Sequence, residues 1–191
     1  MMSPARLLSC ILLLVAAPAA AGVPDPGASS VEPVLVGDSN GMQIGNGFVV
    51  VVRDVLGAPL GGVTVQLIFA GTTRPYTTQV APATTVCPYI KGATDATGTV
   101  VFRARFGGYA NGPAIEVRAN GVLLSTVPAR STDLDADGAT AAFDFVHFRN
   151  NFLNNPAAPE TDYNEDGITD PFDFNVFRSV FLNDVPGILC P

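Results

Sequence analysis

Two twelve-residue stretches in the C-terminal third of the chain decide how it folds there: DLDADGATAAFD at 133–144 and DYNEDGITDPFD at 162–173. They open a longer repeat, because residues 133–154 align with residues 162–183 without a gap. Twelve of the 22 aligned positions are identical. Self-similarity of this density indicates two copies of one supersecondary unit. We refer to the two twelve-residue stretches as the first loop and the second loop.

Both loops carry oxygen-bearing side chains at positions 1, 3, 5 and 12 and glycine at position 6. A calcium ion takes about six to eight oxygen ligands at roughly 2.3–2.6 Å. Alternate residues of a tightly curved loop can point inward together, and the carbonyl of position 7 then faces the ion. This is the arrangement of an EF-hand loop, and it predicts two calcium ions. The predicted ligands are Asp133, Asp135, Asp137, the carbonyl of Ala139 and Asp144 in the first loop, and Asp162, Asn164, Asp166, the carbonyl of Ile168 and Asp173 in the second.

A single Asp-rich stretch of this kind has an alternative interpretation, a turn held by hydrogen bonds from Asp side chains. Two copies in register, each followed by the same apolar pattern, favour a metal site. Magnesium is the weaker alternative to calcium, because it keeps its own waters rather than entering a full cage of protein oxygens. At position 9, Asp170 can hold a ligating water whereas the side chain of Ala141 cannot. We therefore expect the second loop to be the better furnished of the two.

Each loop is followed by phenylalanines at the helical spacing i, i+3 and i+7. They are Phe145, Phe148 and Phe152 after the first loop, and Phe174, Phe177 and Phe181 after the second. The pattern predicts two helices that pack against each other in a pseudo-twofold arrangement. Because a domain of about sixty residues has a small core, we expect calcium to contribute to its folding free energy.

Position 12 is aspartate in both loops, where EF-hands usually carry glutamate, and no helical pattern precedes the first loop. With these two features, residues 131–184 resemble a type I dockerin. The resemblance implies the same ten calcium ligands. It also implies that the chain docks onto a cohesin partner, as secreted proteins with dockerins do, many of which are polysaccharide-degrading enzymes.

Positions 10 and 11 of the loops depart from the family pattern. Dockerins often carry a hydroxyl pair there that contacts cohesin. This chain has Ala142 and Phe143 in the first loop and Pro171 and Phe172 in the second. The two phenylalanines either form a different, apolar docking patch or pack inside the domain. Arg149 and Arg178 lie where family members can contact the partner, and solvated surface charges are the alternative.

Residues 31–130 contain short runs of alternating apolar and polar residues separated by turns. Such alternation places one face of a strand in a core and the other in water, and Asn120-Gly121 is typical of a hairpin turn. Three segments resemble bacterial immunoglobulin-like modules: VVVVRD at 49–54, GAPLGGVTV at 57–65 and TDATGTV at 94–100. The resemblance covers about half of such a module and implies a β-sandwich that acts as a spacer or an adhesive unit. Residues 71–92 are predicted to form a long loop.

Residues 1–21 are predicted to be a secretory signal peptide. Arg6 precedes an apolar run over residues 7–15, and three alanines at 19–21 offer a cleavage site. The run is too short to span a bilayer, so we expect no membrane span in the exported chain. Residues 22–30 are rich in proline, glycine and serine, which predicts a flexible lead-in.

The expected fold is therefore multidomain. An all-β immunoglobulin-like sandwich over residues 31–130 is followed by a small α-helical, dockerin-like calcium-binding domain over residues 131–191. In the oxidising compartment that export implies, Cys87 and Cys190 can pair with each other, stay as free thiols or bond to other chains.

The formal net charge is −7, and residues 130–191 hold eleven acidic residues against three arginines. A chain without a basic patch is a poor match for nucleic acid or for anionic membranes. His147 is the one histidine and Cys87 has no identifiable base, so we expect no catalysis. We predict a secreted, noncatalytic calcium-binding protein that docks onto a cohesin-like partner. The alternative is a structural or adhesive extracellular protein in which calcium only stabilises the C-terminal domain. The sequence leaves the oligomeric state open.

Overall fold

A computed structural model describes residues 22–41 and 47–191. The signal peptide expected at 1–21 lies outside the described residues. The strands are β1 (Ser30–Val31), β2 (Leu35–Gly37), β3 (Phe48–Val51), β4 (Thr64–Ile68), β5 (Arg74–Pro75), β6 (Thr84–Val86), β7 (Tyr89–Ala93), β8 (Thr99–Phe102), β9 (Phe106–Gly107), β10 (Ala110–Ala119) and β11 (Val122–Ser131). They are followed by helix α1 (Ala142–Asn154), a 3-10 turn at Pro159–Thr161 and helix α2 (Pro171–Leu182). Neither helix in the described residues is long and apolar enough to cross a membrane.

The strands form three sheets. The largest has six strands in the order β2-β11-β10-β4-β7-β6, and the others are β1-β3-β8 and β5-β9. Pairing is antiparallel except between β2 and the end of β11, where Arg130 lies opposite Val36. Asn120 and Gly121 both have positive φ at the turn between β10 and β11, so the predicted hairpin is confirmed. The core between the sheets is apolar, as the alternating pattern predicts, and includes Val50, Val65, Leu67, Ile90, Phe102 and Val117.

Two segments that were expected to lack regular structure are attached to these sheets. Residues 71–92 contain β5, β6 and the start of β7 rather than one long loop. In the stretch 22–30, expected to be a flexible lead-in, the backbone N–H of Asp25 donates to the Arg53 carbonyl at 2.8 Å. The hydroxyl of Ser29 accepts a hydrogen bond from the N–H of Arg53 at 3.0 Å.

The prediction of an immunoglobulin-like sandwich followed by a separate α-helical domain is wrong. The described residues form one mostly β domain, in which a large sheet curls into a half-barrel and two short helices pack on it. The physical reason is the size of the helical core, which consists of Leu134, Phe148, Tyr163 and Phe177. These four side chains also pack against residues of the β region, including Val36 and Tyr109. Helices of 13 and 12 residues bury too little surface by themselves and therefore use the sheet as well.

The last residues of the chain fasten this arrangement. Cys87, in the turn between β6 and β7, is bonded to Cys190, which resolves the pairing that the sequence leaves open. The backbone N–H of Cys190 donates to the Pro75 carbonyl at 2.9 Å, and the N–H of Gly187 donates to the Gly138 carbonyl at 2.9 Å. The segment 184–191, which we call the tail, therefore joins the first loop to the sheet.

The packing of the tail on the first loop predicts unequal effects for two equivalent substitutions. Gly138 (φ +100) and Gly167 (φ +96) occupy position 6 of the two loops. A Cβ at Gly138 would lie 2.5 Å from the Gly187 carbonyl oxygen, whereas a Cβ at Gly167 would meet no atom within 4 Å. We expect Gly167→Ala to reduce the free energy of unfolding by about 1–2 kcal/mol through backbone strain. Gly138→Ala should reduce it by about 1–3 kcal/mol more, through overpacking. Urea unfolding in a chelator measures both, and equal losses would contradict the packing described here.

Candidate metal centre

The carboxylate of Asp133, at position 1, is the centre of the first loop. Its Oδ1 accepts a hydrogen bond from the N–H of Asp137 at 3.2 Å. Its Oδ2 accepts from the N–H of Gly138 at 3.2 Å and from the hydroxyl of Tyr76 at 2.9 Å. Ligating oxygens of Asp133, Asp135 and Asp137 all lie within 4.8 Å of one another. The structure thus brings together three of the predicted ligands of this loop.

Asp144 closes the first loop from the start of helix α1. Its Oδ1 accepts hydrogen bonds from the N–H groups of Leu134 at 2.6 Å and Asp135 at 3.1 Å. Its Oδ2 accepts from the N–H of Ala141 at 2.7 Å. Asp144 is the third residue of α1, where a carboxylate also interacts favourably with the helix dipole. The fourth predicted side-chain ligand is therefore fixed at both oxygens within the same loop.

The second loop repeats these hydrogen bonds. Asp162 accepts from the N–H groups of Asp166 at 3.2 Å and Gly167 at 3.0 Å. Asp173 accepts from Tyr163 at 2.6 Å, from Asn164 at 3.2 Å and from Asp170 at 2.9 Å. At position 7, the N–H groups of Ala139 and Ile168 donate to the position 5 carboxylates at 3.0 and 3.1 Å. Position 4 also has positive φ in both loops, at Ala136 (58°) and Glu165 (63°). The two loops thus share one backbone conformation.

Several supporting residues were missed by the sequence analysis. The hydroxyls of Thr132 and Thr140 lie 2.9 Å apart, and those of Thr161 and Thr169 lie 2.7 Å apart. Each pair joins the residue before a loop to position 8 of that loop, and all four side chains are buried. The repeat carried the signal for them, because threonine occupies both positions in both copies. Tyr76 carried no such signal, since it lies in the β region, far from the loops in sequence.

Among the described residues, no positively charged side chain forms an ion pair with the buried carboxylates of the first loop. The pKa of Asp133 is raised to about 7, chiefly by burial and also by the nearby carboxylates of Asp144 and Asp137, against the Tyr76 hydroxyl and the Gly138 N–H, whose hydrogen bonds lower it. Burial also raises the pKa of Asp144 and of Asp173, against hydrogen bonds from backbone N–H groups that lower it.

These features fit a cation. Buried carboxylates that repel one another are stabilised in their charged form by a positive ion between them. The side chains that converge offer oxygen atoms as metal ligands, and the described loop residues include no thiol or imidazole. This set of ligand atoms suits a hard divalent cation. In the first loop, an ion would be held by the four carboxylates. In the second loop, another ion would be held by three carboxylates and the Asn164 amide.

The raised pKa of Asp133 predicts how the metal-free chain responds to pH. The carboxyl group binds its proton more tightly in the folded state, with a pKa of about 7, than in the unfolded state, with a pKa of about 3.9. The stability that this proton contributes is complete below about pH 4 and is lost as the pH rises through about 7. We expect the metal-free wild type to lose stability relative to Asp133→Asn between pH 5 and 7.5. Urea midpoints of both proteins test this, and a constant difference would contradict it.

A comparison with known proteins found no matching family model, no matching curated protein and no matching solved structure. The resemblance to dockerins therefore rests on the two loops and the helices that follow them.

Proposed function

We propose that this chain is a noncatalytic extracellular calcium-binding protein whose paired loop-helix repeat presents a surface for docking another protein. The shared geometry of the two loops carries the proposal. Each loop fixes carboxylates at positions 1, 5 and 12 by the same set of backbone hydrogen bonds, and each places a further oxygen-bearing side chain at position 3. Calcium is the hard divalent cation that takes this many protein oxygens in a flexible loop.

Three observations support an exported and noncatalytic role. The disulfide between Cys87 and Cys190 is typical of proteins in an oxidising compartment. It also removes the thiol of Cys87 as a nucleophile. The imidazole of His147 lies on helix α1, with Nε2 3.6 Å from Glu160 Oε1 and the ring edge-on to Tyr109. Its neighbours are thus a carboxylate and an aromatic ring rather than a nucleophile.

The surface of the two helices supports docking. Phe143 and Phe172, at position 11 of the loops, are 76% and 69% exposed, so they do not pack inside the domain. Between the helices lies an apolar groove of about 460 Å³, lined by residues that include Phe145, Phe152 and Phe174. Exposed phenylalanines and an apolar groove are features typical of protein interaction sites. The dockerin resemblance makes a cohesin-type module the partner to test first. Such docking would link this chain to an assembly that breaks down polysaccharides.

A second candidate function is structural. The first loop is bonded to the β region through Tyr76 and to the tail through Gly138. These contacts favour a role for calcium in holding one extracellular domain together, with no partner required.

A binding assay with cohesin modules separates the two functions. We expect calcium-dependent retention of the full chain that is lost in a chelator and reduced by at least tenfold in the double variant Phe143→Ser/Phe172→Ser. Both side chains are exposed, so the variant should unfold at the same urea concentration as the wild type. Binding by neither protein would reject docking on cohesin and leave the structural role.

A further inference from the structure

The two loops differ in the charges that surround them. Arg130, at the end of β11, places Nη1 3.4 Å from Asp162 Oδ2 and also donates to the Asp162 carbonyl. Its side chain is only 12% exposed and Asp162 is 5% exposed. The ion pair is therefore largely shielded from water, where charges interact more strongly than at a surface. The second loop thus contains a resident positive charge beside its position 1 carboxylate.

The first loop has a neutral donor at the equivalent place. The Tyr76 hydroxyl donates to Asp133 Oδ2 at 2.9 Å, and the tyrosine is fully buried. Its backbone N–H donates to the Arg105 carbonyl at 3.0 Å, and the Arg105 guanidinium lies over its ring at 4.9 Å. The phenol is therefore held in one position. It orients Asp133 without cancelling the negative charge of the loop.

The side chains at the predicted ligand positions also make the first loop more negative than the second. The first loop offers four carboxylates at positions 1, 3, 5 and 12, whereas the second offers three carboxylates and the amide of Asn164. From the sequence, Asp170 at position 9 was expected to hold a ligating water in the second loop. In the structure it is the N-cap of helix α2, and its Oδ1 accepts a hydrogen bond from the N–H of Phe172 at 2.6 Å. One of its oxygens is thereby already engaged.

We propose that the first loop is the tighter calcium site, with Tyr76 as the residue that positions Asp133, and that Arg130 weakens calcium binding at the second loop. Calcium affinity in such loops depends on the charge of the ligands and on how firmly they are held. The first loop has the greater ligand charge, and its position 1 carboxylate is held by a neutral donor rather than by a competing cation. Residues that orient a ligand typically change metal affinity by about 10- to 100-fold when they are removed. This order of affinities rests on the proposed calcium binding. It is the reverse of the order that the residues at position 9 predict by themselves.

The two ions then have distinct roles. The first loop contacts the sheet through Tyr76 and the tail through Gly138, and the N–H of Thr140 donates to Asp184 of the tail at 2.9 Å. Binding at the first loop therefore stabilises the attachment of the helices to the sheet. The ion pair of Arg130 partly neutralises the second loop when calcium is absent.

Matched variants allow each site to be measured separately in the full chain. Position 5 is exposed in both loops, so Asp137→Ala disables the first loop and Asp166→Ala the second with little other disturbance. Calcium titrations by calorimetry then report the remaining site. We expect Asp166→Ala to keep the tighter site. Adding Arg130→Gln should strengthen binding about tenfold in Asp137→Ala and leave Asp166→Ala unchanged. Adding Tyr76→Phe should weaken binding about tenfold in Asp166→Ala only.

Arg178→Gln is the control for Arg130→Gln, because Arg178 is an exposed arginine on helix α2. It should change neither affinity by more than about twofold, because exposed charges are screened by solvent and salt. Equal affinities, a tighter second loop, or an effect of Arg130→Gln at both sites would overturn the inference and leave calcium binding intact. No binding of calcium by the wild type would instead reject the proposed function, and the inference with it.

Discussion

Removing both calcium ions from the full chain with a chelator is expected to lower its thermal midpoint by roughly 15–30 °C. A ligand at a thousand times its dissociation constant stabilises the folded state by about 4 kcal/mol per site. In a chain of this size, each kcal/mol of unfolding free energy shifts the thermal midpoint by roughly 2–4 °C. The buried carboxylates of Asp133 and Asp144 supply the physical reason, because burial disfavours the charged form of both, and Asp144 repels Asp133, when no cation lies between them.

Circular dichroism during heating, with calcium and with EDTA, measures this shift. The double variant Asp137→Ala/Asp166→Ala is the control, since it should unfold at one temperature in both solutions. The measurement uses the full chain because the helices complete their core with residues of the sheet. Identical midpoints of the wild type in the two solutions would show that calcium does not stabilise this fold.

Removing the disulfide is expected to reduce the free energy of unfolding by about 4 kcal/mol. Cys87 and Cys190 are 103 residues apart. In the chain-entropy model, closing a loop of that length raises the free energy of the unfolded chain by about 4–5 kcal/mol, because the chain loses conformational entropy. Because the tail carries the hydrogen bond from Gly187 to Gly138, its release should also loosen the first loop. The expected result of Cys87→Ser/Cys190→Ser is therefore lower stability together with weaker calcium binding at that loop.

Urea unfolding of the double variant in saturating calcium gives the first quantity, and calorimetry in the Asp166→Ala background gives the second. Reduction of the wild type with a thiol reagent should reproduce the loss of stability. A variant that unfolds at the wild-type urea concentration would contradict this account of the tail.

The sequence contained most of the local information about the candidate site. The repeat predicted both loops, their glycines and the two helices, because these features depend on residues close together in the chain. Alternation and turn residues likewise predicted short strands over residues 31–130, where β3, β4 and β8 lie, and the hairpin of β10 and β11. These elements are set by period-two burial and by turn conformation, which short segments express by themselves.

The way the parts join could not be predicted. The attachment of the helices depends on single polar residues without any period, such as Tyr76, Arg105 and Ser39. Arg105 reaches the Val185 carbonyl, 80 residues away, at 2.9 Å. The parallel pairing of β2 with β11 is equally remote in sequence. A resemblance to two separate modules therefore gave the wrong architecture, although it located the loops.

Calorimetric titration of calcium into the metal-free full chain, compared with Asp137→Ala/Asp166→Ala, counts the ions that the two loops bind. We expect two ions per chain for the wild type and none for the double variant. A wild type that takes up no calcium, or a double variant that still binds two ions, would contradict this expectation.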